Sequence, residues 1–356
     1  MAACSSMNQL NERVSVSIIV PVYNAKDSII RCLRSIEKQT FSCFSVIIVN
    51  DGSTDSSASL ISSYIDDKPN FILENLELNC GVSNARNVGL RLSEGKHVMF
   101  IDADDYIEEN YLKSLIDASS DVELVCSSFQ LQDSNNRLHK RNHGVDASSL
   151  IHSEFLKAYL EKFLQKPYAF TMFLHVWNKL FLREIIVKNG IYFDEKLCQL
   201  EDLNFVSRYL MKTVSVRYID VNGYFHCRDG RGYNLSSLSG HGGVQAVDNF
   251  FQALEPVAQL ESHFFIEHNG KSSVAFSHFL SSMGLLFCLR VARRFWRKPN
   301  WSSLTSVYTW LSDFRLRECL KCYAHVDGES RLLRASIKNL PAVLSSPIIV
   351  LFGLFR

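Results

Sequence analysis

At 356 residues the chain is too long for one small domain, and its 47% hydrophobic and 21% charged residues exclude a disordered polymer. The net charge of +1 hides an asymmetry: residues 290–356 hold twelve Lys/Arg against four Asp/Glu, leaving 26 against 33 in residues 1–289. A basic tail on an acidic body calls for an anionic partner, a membrane surface or nucleic acid, or else only solvates its own helix faces.

Residues 1–13 lack the charged-then-apolar pattern of a secretory leader. Val16-Ser-Ile-Ile-Val20 is a β-branched run that stops at Pro21, which predicts a strand. Ile29, Ile30, Leu33 and Ile36 recur at helical spacing, predicting a helix over 27–39. A second strand follows over 44–49, then the turn Asn50-Asp-Gly-Ser53 and a helix over 54–64, capped by Ser53 or Thr54. Residues 71–73 read as a third strand, 84–92 as a helix, and 97–101 as a fourth strand ending in Asp102-Ala-Asp-Asp105. A helix over 110–118 and a strand over 122–129 complete the series. Strands alternating with helices at this spacing predict an α/β fold, a mostly parallel sheet covered on both faces.

Beyond about residue 150 the pattern turns helical and irregular, with Glu201-Asp202 ahead of a helix over 203–210. The apolar stretch 276–291 runs into Arg293-Arg-Phe-Trp-Arg-Lys298, which fits either an interfacial helix or a core helix whose basic end complements its own dipole. Residues 340–355 are apolar but short and carry two prolines, so they read as buried or interfacial. No run of about 18 uncharged apolar residues suggests a spanning helix. Of ten cysteines only Cys319 and Cys322 have CxxC spacing, with no second pair, which argues against structural zinc. Thiols in this number fit a reducing cytoplasm.

Ligands of such sheets bind at the carboxyl ends of the strands. Four polar clusters fall there: Pro21-Val-Tyr-Asn24, Asn50-Asp-Gly-Ser53, Asn79-Cys-Gly81 and Asp102-Ala-Asp-Asp105. Each alone would be a turn; four converging on one sheet edge point to a site. Three carboxylates in four residues repel one another unless a cation or donors compensate, and hard oxygen ligands suit Mg or Mn. Asp102 and Asp104 therefore read as functional, whereas Asp105 reads as a cap for the following helix. Arg86, near the start of its helix, suits a diphosphate, and Tyr23 either stacks on a base or only packs. A carboxylate pair at a helix start, such as Glu201-Asp202, is most often a cap.

As a set, these residues resemble glycosyltransferase family 2, whose members share the GT-A fold. The resemblance rests on Val16–Asn24, Val49–Asp55, Asn79–Gly89 and Phe100–Asp105, and continues in pieces to about Ser239. It implies a GT-A domain over 1–240, with nucleotide-sugar binding in 14–130 and the acceptor and base region in 150–240. A helical C-terminal region over 241–356 follows. It implies that Pro21, Val22, Tyr23, Asn24, Asp51, Gly52 and Asn79 frame the base, with Asp51 contacting it. Arg86, Asp102 and Ala103 would hold the rest of the nucleotide; Asp104, Asp102 and His226 would be metal ligands; Asp202 would be the catalytic base. Trp177-Asn-Lys-Leu-Phe181 resembles an element near the acceptor, and Tyr224-Phe-His226 with Ser236–Ser239 resembles a later active-site segment.

The implied function is inverting transfer of a sugar from a nucleotide-diphosphate donor, UDP in the commonest case, to a hydroxyl of a glycan or lipid-linked saccharide in surface polysaccharide synthesis. A divalent cation, Mn or Mg, would assist, and the enzyme would sit in the cytoplasm or on the inner membrane face through residues 290–356, without nucleic acid. A nucleotidyltransferase needs a Gly-rich basic loop where Tyr23-Asn-Ala-Lys26 stands, and a dehydrogenase needs the GxGxxG that is absent. A carboxylate-pair hydrolase leaves the nucleotide-like loops unexplained. A catalytically dead nucleotide- or sugar-binding module is the remaining alternative.

Overall fold

A computed structural model describes residues 15–143, 150–151, 153–167, 170–197, 199–227, 244–264, 276–285, 308–309 and 312–321. Two compact units divide the chain, one of Met1–Leu156, Met172–Leu197 and Glu201–Asn234, the other of Lys157–Thr171, Cys198–Leu200 and Leu235–Arg356.

The first unit is built on strands β1 (Val16–Val22), β2 (Phe44–Asp51), β3 (Phe71–Leu76) and β4 (His97–Phe100), with helices α1 (Ile29–Glu37), α2 (Ser57–Ile65) and α3 (Val82–Leu92) between them. Then come β5 (Tyr106–Ile107), α4 (Tyr111–Asp117), β6 (Leu124–Ser127), β7 (Phe129–Gln132), β8 (Leu138–Arg141) and β9 (Leu150–Ile151). Helix α5 (Ser153–Gln165), whose residues from Lys157 on belong to the second unit, follows, before β10 (Lys179–Leu182), α6 (Arg183–Lys188), α7 (Glu201–Leu210), β11 (Val216–Ile219) and β12 (Tyr224–Cys227) of the first. An eight-stranded sheet has the order β3-β2-β1-β4-β10-β6-β11-β9, and a four-stranded sheet the order β5-β12-β7-β8. In the large sheet only β10 and β9 run against the rest, so it is mostly parallel, as its sequence predicts.

Every residue of β1 is buried, as expected for a β-branched strand covered on both faces. Helix α1 turns Ile29, Cys32, Leu33 and Ile36 into the core. Helix α3 lies so close to β1 that a Cβ on Gly89 would collide with the Ile19 side chain, so glycine is what admits the helix.

Three local expectations are corrected. The strand predicted over 122–129 is two strands in two sheets. At the crossing, buried Ser127 Oγ bonds Tyr111 Oη at 2.6 Å and the Ser128 amide donates to the Ile219 carbonyl, so the Ser127 hydroxyl and the Ser128 backbone stay paired where the run changes sheet. Neither Ser53 nor Thr54 caps α2, because both are bonded to Asn24; the Asp55 carboxylate accepts from the Ser57 amide instead. Asp105 does not cap α4 either, and its buried carboxylate faces β12.

In the second unit, α8 (Val244–Phe264), α9 (Phe314–Lys321) and the helical residues 276–285 are described. Phe163 of α5 packs on Phe279 at 5.0 Å, and Arg315 joins Asp248 and Asp313. Phe276, Phe279, Met283 and Leu285 are buried, in keeping with a core helix there. Residues 293–298 and 340–355 and Ser236–Ser239 lie outside the described residues. No helix among the described residues is long and apolar enough to cross a membrane.

Candidate active site

Two groups of residues stand at the carboxyl ends of β1, β2 and β4. The first is a set of interlocked loops. Pro21 and Val22 end β1 and are buried, while the next residue, Tyr23, is 47% exposed. Asn24 has φ 50°, and its Oδ1 accepts from the amides of Thr54 and Asp55 at 2.8 and 3.2 Å, locking the β1 loop to the β2 turn. That αL conformation suits asparagine, whose short amide bonds locally. Gly52, at φ 62°, approaches the loop after β3 so closely that a Cβ would lie 2.6 Å from the Asn79 nitrogen. Buried Asp51 accepts from the amides of Cys80 and Gly81 at 2.8 Å each, so its two oxygens organise that loop. About two of a carboxylate's four acceptor positions are left over by these two bonds.

The second group centres on Arg86. Helix α3 buries this arginine to 3% exposure, and its guanidinium meets Asp202 at 2.7 Å, Asp102 at 3.0 Å and Glu201 at 3.7 Å. Phe193 lies under it at 5.2 Å. Burial alone would weaken its charge, but Asp202, Asp102 and Glu201 outweigh that and hold it more firmly protonated than usual. The sequence reading gave Arg86 to the diphosphate; here its N–H groups hold carboxylates from the ends of β4 and the start of α7. Asp202 also accepts from the Val176 amide at 3.2 Å. Burial and its neighbour Asp202 raise the pKa of Glu201, with Arg86 opposing. A cleft of about 520 Å³ adjoins this group through Phe193 and Asn87.

The acidic turn separates its three carboxylates by task. Asp102 faces Arg86; Ala103 is buried; Asp104 keeps part of its surface open to solvent while its carboxyl group sits largely within the turn; Asp105 is fully buried. Burial first, then Asp105 and Asp102, push Asp104 up to about 7. No Lys or Arg among the described residues pairs with it. The backbone of the turn is held from α1: Arg31 donates to the Asp104 carbonyl at 2.6 Å and lies 5.1 Å over Tyr106, and Cys32 Sγ reaches the Asp102 carbonyl at 3.7 Å. Nothing in the sequence marked Arg31, which looks like any exposed helix residue.

His226 meets Asp105 rather than Asp104, with Nδ1 at 3.4 Å from the carboxylate. Its ring stacks on Trp177 at 4.9 Å, as does Tyr224 at 5.0 Å, and His175 stacks on Trp177 at 4.6 Å. Burial lowers the His226 pKa, but Asp105 more than offsets it and the net direction is up.

No group of three or more His, Cys, Asp or Glu among the described residues is arranged to hold a metal by itself. The chemistry of the donors nevertheless suits a hard divalent cation. Asp104 carries uncompensated charge beside two other carboxylates, which a cation would relieve, and one or two carboxylates plus phosphate oxygens are what Mg or Mn takes.

The class of protein is given by the fold together with this set of loops. Residues 17–189 match the family model Glycosyl transferase family 2, so the chain carries a domain of that family. The structure of Staphylococcus aureus TarS 1–349 in complex with UDP-GlcNAc aligns with a TM-score of 0.64 at 19% identity, over 96% of this chain and 92% of that one, which shows the GT-A fold. Among curated relatives, the uncharacterized glycosyltransferase YibD of Escherichia coli K12 is 27% identical over 60% of this chain and 62% of its own length. The poly(ribitol-phosphate) beta-N-acetylglucosaminyltransferase TarS of S. aureus Mu50 is 28% identical over 68% of this chain and 39% of its own. The chain thus spans less than two thirds of the length of either relative.

Proposed function

We propose that the chain is an inverting glycosyltransferase that takes a sugar from a UDP-sugar donor and places it on a hydroxyl of a glycan or lipid-linked saccharide, in surface polysaccharide synthesis. The observation that carries this reading is the Arg86 guanidinium, bonded at once to Asp102, which the reading gives to the donor, and Asp202, which it gives to the acceptor. One rigid cation that fixes both carboxylates sets the donor's sugar and the incoming hydroxyl in one place, which supplies much of the barrier reduction in a displacement.

In this reading the loops Pro21–Asn24, Asp51–Gly52 and Asn79–Gly81 take the base and ribose, with Asp51 offering its remaining acceptor positions. Asp202, held at Oδ1 by Arg86 and at Oδ2 by the Val176 amide, keeps lone pairs free to accept the hydroxyl proton. The hydroxyl oxygen bonds to the anomeric carbon as the bond to the diphosphate breaks from the opposite face, so one displacement inverts the centre. Asp104, with Asp102, would hold a Mn or Mg ion, which when bound neutralises charge on the leaving diphosphate. A domain boundary near residue 240 separates this machinery from a helical region. The basic segment 290–356 then docks on the anionic inner face of a membrane that presents the acceptor.

Calorimetric titration of UDP with Mn, and again with EDTA, tests the donor site. Mn-dependent binding in the wild type that Asp104→Ala removes is the expected result. Nucleotide binding that ignores both EDTA and the substitution would take the cation out of the reading, and no binding of any nucleotide would sink the reading itself. For the tail, removal of residues 290–356 is expected to abolish flotation with anionic liposomes at low salt; unchanged flotation would end that part.

A further inference from the structure

Asp105 is the residue whose place the mechanism above leaves unexplained. It is an ionisable side chain with no solvent exposure, in a turn that already contains two other carboxylates. Such a group is costly to bury unless it is bonded on all sides, so its partners show its use. Oδ1 accepts from the Cys227 amide at 2.8 Å. Oδ2 accepts from Tyr224 Oη at 2.6 Å and faces His226 Nδ1 at 3.4 Å. All three partners belong to β12. Tyr224 and His226 are two apart on a strand, so their side chains share one face, and Trp177 stacks on both with ring planes within 14°.

The His226 ring is therefore fixed at two places. Trp177 sets its plane, and the carboxylate sets which nitrogen carries the proton. Burial raises the Asp105 pKa while His226 and Tyr224 oppose it; in the ionised form the carboxylate only accepts, which requires the facing Nδ1 to be the N–H. The 3.4 Å separation is long for such a bond, and the ring stack holds the imidazole where the bond alone would not. Among the described residues no hydrogen-bond partner falls to Nε2. Carboxylate-backed imidazoles of this kind are how proteins aim a histidine at a cation or phosphate, and removing the carboxylate usually weakens the bound group 10–100-fold.

We propose that Asp105 is a positioning residue: it holds His226 in the Nδ1–H form and so presents Nε2 to the diphosphate and cation of the donor. What Nε2 meets rests on the donor reading above; the tautomer does not. The alternative for Asp105 is a purely structural tie between the acidic turn and β12, which would hold that strand whichever nitrogen of His226 carried the proton.

The test uses the full chain labelled with ¹⁵N-histidine, recorded without ligand above the pH at which the ring loses its proton. Long-range ¹H–¹⁵N spectra separate the two neutral tautomers, and loss of one spin system in His226→Gln assigns the ring among the eleven histidines. The Nδ1–H form is expected in the wild type and in Tyr224→Phe. Asp105→Asn is expected to shift the ring towards the Nε2–H form, and to weaken Mn-UDP binding by calorimetry about 10–100-fold with Tyr224→Phe much less affected. An Nε2–H ring in the wild type overturns the proposal without any variant having to fold. So does an Asp105→Asn protein that keeps both the Nδ1–H form and wild-type Mn-UDP affinity. A chain that shows the Nδ1–H form but binds no nucleotide would leave the tautomer standing and remove the donor reading.

Discussion

Arg86 brings one positive charge into contact with three carboxylates, at a depth where only 3% of its surface meets solvent. Arg86→Met would leave those carboxylates without a counter-charge, and breaking a buried pair of this kind costs about 3–5 kcal/mol. Urea unfolding should show a loss near the lower end, since Asp102 and Glu201 are partly open to water at 27% and 20% side-chain exposure. A loss below about 1 kcal/mol would mean the cluster is solvated and not a fixed unit. Asp202→Asn separates chemistry from stability. Asparagine still accepts from Arg86 but sets an N–H towards the Val176 amide, a cost of about 1–3 kcal/mol. Its kcat should fall about 10²–10⁴-fold, the range a positioned base contributes. A fall under tenfold with an unchanged donor KM would assign the base elsewhere, Glu201 being next.

At the scale of elements, the approach of α3 to β1 decides whether Arg86 reaches the site at all. Gly89→Ala improves helix propensity by about 1 kcal/mol, but the new methyl meets Ile19 and overpacking costs about 1–3 kcal/mol. The second term wins: denaturant midpoints should fall, and donor binding should weaken with them. A more stable variant would show that the two elements have room to part. These elements were legible in the sequence because their signals are local: a β-branched run closed by proline, apolar residues at helical spacing, polar clusters at strand ends. The links between them were not. Arg86 meets Asp202 across 116 residues and Asp105 meets Tyr224 across 119, and no window of sequence contains both partners. Asp105 read as a cap because an aspartate ahead of a helix usually is one. The available signal was the Tyr-x-His alternation in Tyr224-Phe-His226, which on a strand puts two polar rings on one face in need of an acceptor. The split of residues 122–129 was hidden for a different reason: a strand that changes sheet keeps its β-rich composition.

At the scale of the first unit, acid stability follows from two buried histidines. Burial, with Lys96 adding to it, lowers His97 to about 4, and burial with Lys179 lowers His143 to about 3. Both rings are neutral in the folded chain, whereas the unfolded chain takes up protons below about 6.5. Their contribution is thus whole above that pH and is lost as pH falls towards the folded values, by roughly 3 kcal/mol for the pair at about pH 5.5. Asp104 and Glu201, raised by burial, act in the opposite direction, so the raw profile mixes the two. His97→Gln isolates one part: the gap between urea midpoints at neutral and mildly acid pH should narrow by about half of the histidine share. An unchanged gap would mean that His97 gains its proton without unfolding.

The span of the ties at the site also bears on how the protein is made. A ribosome adds about 5–20 residues per second, so the stretch between Asp105 and the last residues of β12 takes on the order of ten seconds to appear. During that interval β1 to β4 and their loops leave the exit tunnel. Arg86 and the acidic turn then have no β12 or α7 to meet, and Asp105 remains in water. A nascent chain can therefore shape these loops early, but Arg86 meets Asp202, and Asp105 meets His226, only once α7 and β12 have been made. A product truncated before β12 would contain Asp202 but leave the Asp105 carboxylate without all three of its partners.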